Sequence, residues 1–322
     1  MSVRTTWIAS SAVIVLVVLL SGCGTFRAAP RLPSSTAPVS TAPAASASGN
    51  PTTAGTQVRT ISVGGLARSY RLHVPGRLAG DSALVVMLHG AMGSAQTAEA
   101  AYGWDDQADA NGFIVAYPDG QDRVWNAGDC CGTASRTDVD DVGFISAVVG
   151  QLQSEFGVPP QRTFTAGMSN GAMMTYRLAC DTSLFAAIAP VSGTIVTPCP
   201  HPTSTSVLHI HGTDDPTVHM DGVVGSGPGQ VQGLPVVDAV GVFRAADHCG
   251  PSVATTQGVV TTDTANCADG RQVTLISIQG GTHHWPGDRS PVSLGPGGAS
   301  GADASPATLD ATTTIWKFFN VR

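Results

Sequence analysis

Residues Gly167-Met168-Ser169-Asn170-Gly171 have the form Gly-x-Ser-x-Gly, with a hydroxyl at the centre. A serine hydroxyl is a weak nucleophile at neutral pH. It attacks a carbonyl only when a base takes its proton and a third group orients that base. The apolar run "TFTAG" before Ser169 reads as a strand, and the run after it reads as a helix ending near Cys180. In that strand–turn–helix context the pattern forms a tight elbow that presents the serine beyond the strand end. The flanking glycines stand where side chains would collide. A chain with 38 glycines matches five residues by accident easily, so the context, more than the pattern, makes Ser169 a candidate nucleophile.

The acid and base for such an elbow follow it in the order Ser, Asp or Glu, His. "VLHIHGTDDPTV" supplies Asp214 and Asp215 just after a strand. Aspartates before proline also serve as plain turn residues, but this turn lies on the same sheet edge as the elbow. Asp215 is the expected acid and Asp214 its alternative. "SIQGGTHHWPG" supplies His283 and His284 after the last strand. His283 is the expected base and His284 the alternative. Two backbone amides must hold the developing oxyanion, one from the residue after the nucleophile and one from an earlier loop. Asn170 supplies the first. Ala91, in "LHGA" after a strand, is the candidate for the second, and His89 is read as holding that loop. The expected chemistry is ester cleavage through an acyl-enzyme, with no cofactor.

These loops must be carried by strands of one sheet. "QVRTISV" and "SYRLHVP" flank Gly64-Gly65 as a hairpin. "SALVVMLHG", "FIVAYP", "RTFTAG", "FAAIAPVSG", "SVLHIHG" and "QVTLISIQGG" are short apolar strand runs. Helical stretches alternate with them, around residues 96–110, over "DDVGFISAVVGQLQSEF", after Asn170, over "LPVVDAVGVFRAAD" and over "PATLDATTTIWKFFN". Such alternation predicts an α/β fold: a mainly parallel sheet with helices on both faces and ligands beyond the carboxyl ends of the strands.

The rest of the sequence bounds the setting. Residues 12–20 are continuously apolar, with Arg4 before them, as in a signal peptide. They lead into Leu20-Ser21-Gly22-Cys23, which is similar to the bacterial lipobox. Cys23 is therefore the expected lipidation site, and acyl chains there would hold the protein to a membrane. Residues 1–22 are the expected leader and 23–56 a flexible Ala/Ser/Thr/Pro tether. Residues 57–322 are one domain, expected to act as a monomer. The net charge is −7 with a single lysine, Lys317, which excludes a nucleic-acid surface. Six further cysteines in an exported chain suggest disulfides. The spacings favour Cys180–Cys199 and Cys249–Cys267, leaving Cys130 with Cys131. His209 and His211 alternate along one strand without an evident third metal ligand, so no metal is expected. Asp138, Asp140 and Asp141 suit a helix N-terminus better than a calcium loop. "GSGPGQ" and "SLGPGGASGADAS" read as surface loops.

The stretches "LHG", "YPDG", "WNAGDCCG", "DDVGFI", "GMSNGAMMTYRLAC", "FAAIAPVSG", "HGTDDPTV" and "GGTHHWPG" together resemble the polyhydroxybutyrate depolymerase and feruloyl esterase family, from about residue 58 to the end. The resemblance implies an α/β-hydrolase fold and an exported esterase acting on small or polymer-attached esters, with Ser169, Asp215 and His283 as its triad. The family often has Gly-Gly-Gly-His-Thr-Trp where this chain has Gly-Gly-Thr-His-His-Trp. Trp125 and Trp285 are expected to line the substrate pocket, and no large lid is expected between the triad segments. An acyltransferase on the same fold, and a lipid-anchored binding protein without turnover, are the rival readings.

Overall fold

The computed structural model describes residues 53–226, 230–289 and 309–320. The expected leader, Cys23, nearly all of the tether and most of the two glycine-rich loops lie outside the described residues. The chain opens with β1 (Gly55–Val63) and β2 (Leu66–Val74), paired antiparallel through Gly64 and Gly65. β1 thus starts inside the stretch expected to be tether. The hairpin turn needs left-handed backbone at both glycines, with φ of 57° and 81°.

Then come β3 (Leu84–Leu88), α1 (Ala95–Tyr102), α2 (Trp104–Asn111) and β4 (Ile114–Pro118). The single helix expected at 96–110 is two, broken at Gly103, which adopts φ 69°. The break sends Trp104 fully into the core. After α3 (Gly132–Arg136) and α4 (Asp141–Phe156) follow β5 (Thr163–Met168), α5 (Asn170–Asp181), β6 (Ala187–Val191), β7 (Ser206–Gly212) and α6 (Val236–Ala246). The domain closes with β8 (Val253–Gln257), β9 (Val260–Asn266), β10 (Gln272–Ile278) and α7 (Ala311–Asn320).

All ten strands form one sheet in the order β1-β2-β4-β3-β5-β6-β7-β10-β9-β8. The six strands from β4 to β10 in that order run parallel, and the hairpins at either end are antiparallel. Side chains alternate across the pleat, so each apolar strand feeds two cores. Leu84, Val86 and Leu88 pack with Phe144, Val148 and Leu152 of α4. Val85 and Met87 pack on the opposite side with Trp104, Ile315 and Phe319. A strand buried on both faces reads as a continuous apolar run, and β3 through β7 are buried at every position. The β8–β9 hairpin was not expected. Its sequence, "VATTQGVVTTDTAN", is threonine-rich, and every residue of β8 is exposed. An edge strand of that kind carries no apolar alternation to read.

Three disulfides join the pairs favoured by spacing: Cys180–Cys199, Cys249–Cys267 and Cys130–Cys131. Cys180–Cys199 ties the end of α5 to the segment before β7 across a separation of 19 residues. Loop-closure entropy for a loop of that length makes it worth about 3 kcal/mol. A Cys180→Ser/Cys199→Ser double variant should lose about that much in urea unfolding, whereas an unchanged midpoint would show that the bridge constrains nothing.

Candidate active site

The parallel strands deliver their loops to one edge. Ser169 sits between β5 and α5 with φ 55° and ψ −118°, a strained conformation for a residue with a side chain. Its N–H donates to Val191 O at 2.9 Å, which fixes the turn against the end of β6. The two glycines of the motif are close-packing positions. A Cβ on Gly167 would lie 2.4 Å from the Gly171 carbonyl, and one on Gly171 would lie 2.4 Å from Leu88 O. Those obstacles are backbone atoms that cannot swing aside, so the elbow admits only glycine there. Gly193, after β6, is as tight, since its Cβ would meet Ala172 Cβ at 2.5 Å.

The loops after β7 and β10 are tied to each other. Thr213 N donates to Ile278 O and Asp214 N to Gly281 O, each at 2.9 Å, and Gly280 N donates to Thr213 Oγ1 at 2.9 Å. This lacing aims Asp215 and His283 at one another. His283 Nδ1 lies 2.8 Å from Asp215 Oδ2, and His283 Nε2 lies 2.9 Å from Ser169 Oγ. Asp215 is 2 % exposed. Its other oxygen, Oδ1, accepts from Thr217 N at 2.8 Å and Val218 N at 2.9 Å. Burial works against the carboxylate charge. The bond to His283, the attraction of His283 and His211, and the Val218 amide outweigh burial and hold the Asp215 carboxyl below the usual carboxylate range. An ionised acid, an imidazole and a hydroxyl in one hydrogen-bonded row can make the hydroxyl oxygen nucleophilic.

The neighbouring alternatives point elsewhere. Asp214 takes a bond from its own neighbour, Thr213 Oγ1, at 2.9 Å on the exposed side. His284 Nδ1 lies 3.4 Å from Thr282 Oγ1, and its carbonyl accepts from Ser192 Oγ at 3.4 Å. Burial lowers the His284 pKa.

His89 holds the loop that carries Ala91. Gly120 N donates to His89 Nε2 at 3.0 Å, so the ring proton sits on Nδ1 and donates to Gly90 O at 2.8 Å. Burial pushes the His89 pKa down, which keeps the ring neutral and that pattern intact. Arg123 braces the same loop, its Nε donating to Gly93 O at 3.2 Å, and Met92 N donates to Arg123 O at 2.8 Å. Asn170 contributes more than its backbone. Its Oδ1 accepts from Trp125 N at 2.7 Å and its Nδ2 donates to Trp125 O at 3.1 Å. These two bonds clamp the segment after β4 onto the elbow. The sequence gives Asn170 only as an amide donor, because a side-chain bracket to a residue 45 positions away leaves no local pattern.

The expectation that Trp125 and Trp285 line the substrate pocket is not met. Trp125 is 0 % and Trp285 1 % exposed, and both indole N–H groups are spent internally. Trp125 Nε1 donates to His89 O at 2.8 Å and Trp285 Nε1 to Thr312 Oγ1 at 3.1 Å. Trp285 stacks on Tyr102 with centroids 4.6 Å apart. Each supports the site from behind. The aspartates before α4 are structural. Asp140 caps the helix at Gly143 N, and Asp141 pairs with Arg68 at 2.7 Å while accepting from Asn126 N. His209 and His211 face each other inside the core, with Nε2 of the first 2.9 Å from Nδ1 of the second.

Comparison with known proteins follows the same lines. Residues 68–265 match the family model "Esterase PHB depolymerase". The chain is 32 % identical over 280 residues, 78 % of its own length and 80 % of the other's, to "Putative esterase NocK" of Nocardia uniformis subsp. tsuyamanensis. It is 30 % identical over 235 residues to feruloyl esterase B of Piromyces equi, covering 67 % of this chain and 42 % of that one. Among solved structures, acetyl xylan esterase from Aspergillus awamori superposes with a TM-score of 0.52 at 17 % identity, over 70 % of this chain and 94 % of that one, a likeness of fold. The chain has the α/β-hydrolase fold, is a carboxylic ester hydrolase, and belongs to the esterase PHB depolymerase family.

Proposed function

We propose that this protein is an exported, lipid-anchored serine esterase whose nucleophile is Ser169, whose base is His283 and whose orienting acid is Asp215. The observation that carries the reading is the unbroken row of contacts from Ser169 Oγ through His283 to Asp215, at 2.9 and 2.8 Å. Ser169 Oγ attacks the ester carbonyl while His283 Nε2 takes its proton. The Asp215 carboxylate stabilises the imidazolium so formed. The Asn170 and Ala91 amides receive the oxyanion, each contributing about 2.7–4 kcal/mol to lowering the barrier. His283 then returns its proton to the leaving alcohol, and water releases the acid from the acyl-enzyme by the same steps.

The esters are of feruloyl or other aryl, acetyl or hydroxyalkanoate type, small or attached to a polymer, as the names of the relatives suggest. Among the described residues no separate lid domain stands over this edge, which suits a bulky substrate. The anchor is Cys23, supported by the apolar run and small residues before it. Among the described residues no helix is long and apolar enough to cross a membrane.

A p-nitrophenyl phosphonate, which mimics the tetrahedral intermediate, should attach to the peptide containing Ser169 and to no other, as read by mass spectrometry after proteolysis. Turnover of methyl ferulate, short p-nitrophenyl esters and polyhydroxybutyrate granules by the same preparation ranks the substrate classes. An active enzyme that the phosphonate labels elsewhere would refute the assignment of the nucleophile.

A further inference from the structure

Behind Asp215 lies a polar chain that the steps above do not use. Tyr176 on α5 and His209 and His211 on β7 are all fully buried. Tyr176 Oη lies 2.7 Å from His209 Nδ1, and His209 Nε2 lies 2.9 Å from His211 Nδ1. His211 Nε2 lies 2.8 Å from Val218 O and 3.4 Å from Asp215 Oδ2. Buried polar groups cost free energy unless they are bonded, and every ring nitrogen here has a partner.

We propose that Tyr176, His209 and His211 form a buried hydrogen-bond relay that holds one N–H, at Nε2 of His211, against Asp215, positioning that carboxylate and setting how strongly it stabilises the His283 imidazolium. The proposal rests on the reading of Ser169, Asp215 and His283 given above. The direction of the relay follows from its two ends. A carbonyl only accepts, so His211 Nε2 must carry a proton to meet Val218 O. In a neutral ring Nδ1 then has a lone pair and accepts from His209 Nε2. His209 Nδ1 is left with a lone pair in turn and accepts from the Tyr176 hydroxyl. Burial lowers the pKa of both histidines, with each ring's neighbouring positive charge adding to the effect, and His211 feels the opposing pull of Asp215 and Val218 O. Both rings are therefore neutral, and one tautomer of each satisfies every contact. No proton moves along the relay during turnover. It fixes which hydrogen faces Asp215.

The arrangement makes His211 a positioning residue. Asp215 accepts three hydrogen bonds, from His283 and from the amides of Thr217 and Val218, and the His211 N–H, donated to Val218 O, lies beside it with Nε2 3.4 Å from Oδ2. Removing the His211 N–H takes away the dipole beside the carboxylate and the bond that steadies Val218, whose amide bonds Asp215. The carboxylate becomes more basic and holds a proton on His283 more firmly. The acid limb of the pH dependence of kcat/KM should then move to higher pH. The other titratable groups near this cluster are His283, bonded to Asp215, and His284 with Asp288 near it. None of them lies on the relay.

The test compares His211→Leu, His211→Gln and Tyr176→Phe in the full-length protein, using a short p-nitrophenyl ester. For His211→Leu, kcat should fall roughly 10–100-fold with KM little changed, and the acid limb should rise by about 0.5–1 pH unit. His211→Gln places an N–H at the same ε position and should return the limb toward the wild-type value. Tyr176→Phe removes one oxygen and leaves the His209 Nδ1 lone pair without its donor, while Nε2 still donates to His211. It should shift the limb in the same direction by less, and imidazole nitrogen NMR should show His209 Nδ1 still unprotonated but moved toward the position of a lone pair without a hydrogen bond. In the wild type both Nδ1 atoms should resonate as unprotonated and both Nε2 atoms as protonated. Should His211→Leu fail to fold, Tyr176→Phe and the wild-type tautomers decide alone. An unmoved limb in these variants, with only a lowered melting temperature, would reduce the three residues to core packing. That outcome differs from failure of the parent reading, in which Ser169→Ala would remain active whatever the tautomers are.

Discussion

Ser169→Ala should lower kcat/KM for a short-chain p-nitrophenyl ester by roughly 10⁴–10⁶-fold while leaving the fold intact. The loss is large because no other group at the elbow can form the covalent intermediate. Some acceleration over water should survive, since the amides of Asn170 and Ala91 proposed for the oxyanion, and the substrate site, are left in place. Stability should change by less than about 0.5 kcal/mol in urea unfolding. The Ser169 hydroxyl bonds to His283 alone, and alanine meets the same φ of 55° that serine already tolerates. A variant keeping more than a tenth of wild-type turnover would show that another nucleophile does the work. A variant that loses activity only because it unfolds would leave the melting curve, and so be recognised.

His283→Ala should fall by a similar roughly 10⁴–10⁶-fold, whereas His284→Ala should stay within about tenfold of wild type. The two side chains are adjacent in sequence, yet only one spans from Ser169 to Asp215. His284 turns toward Thr282 and lends its backbone carbonyl to Ser192. Because the hydroxyl and the imidazole act as one unit, the Ser169→Ala/His283→Ala double variant should be no worse than either single variant. Steady-state kinetics on the four proteins would check both statements. A silent His283→Ala, or an inactive His284→Ala with normal folding, would reverse the assignment.

The two predictions depend on residues that the sequence makes visible to different degrees. The elbow is legible because its chemistry is local: the serine, the glycines that let backbones approach, the strand before and the helix after lie within one stretch. The order of acid and base after it is legible because each must stand at a strand end, and strands buried on both faces announce themselves as apolar runs. The sheet could be read for the same reason, down to the opening hairpin. Its last hairpin could not, because β8 and β9 lie at an exposed edge where nothing selects apolar residues.

What the chain alone determined, then, is which loops bring Ser169, Asp215 and His283 to one sheet edge and the order in which they come. The tertiary structure decided which member of each pair turns inward, since neighbouring residues in a turn point in different directions and sequence order carries no sign for that. It took Trp125 and Trp285 out of the expected pocket by burying them. It also joined His209 and His211 to Tyr176, across a separation of 33 residues, and set His211 against Asp215. Contacts of that range arise only when α5 packs over β5 and β6 and carries the Tyr176 side chain across to β7, because the hydrogen bonds of a buried polar group are completed by whatever the fold brings beside it.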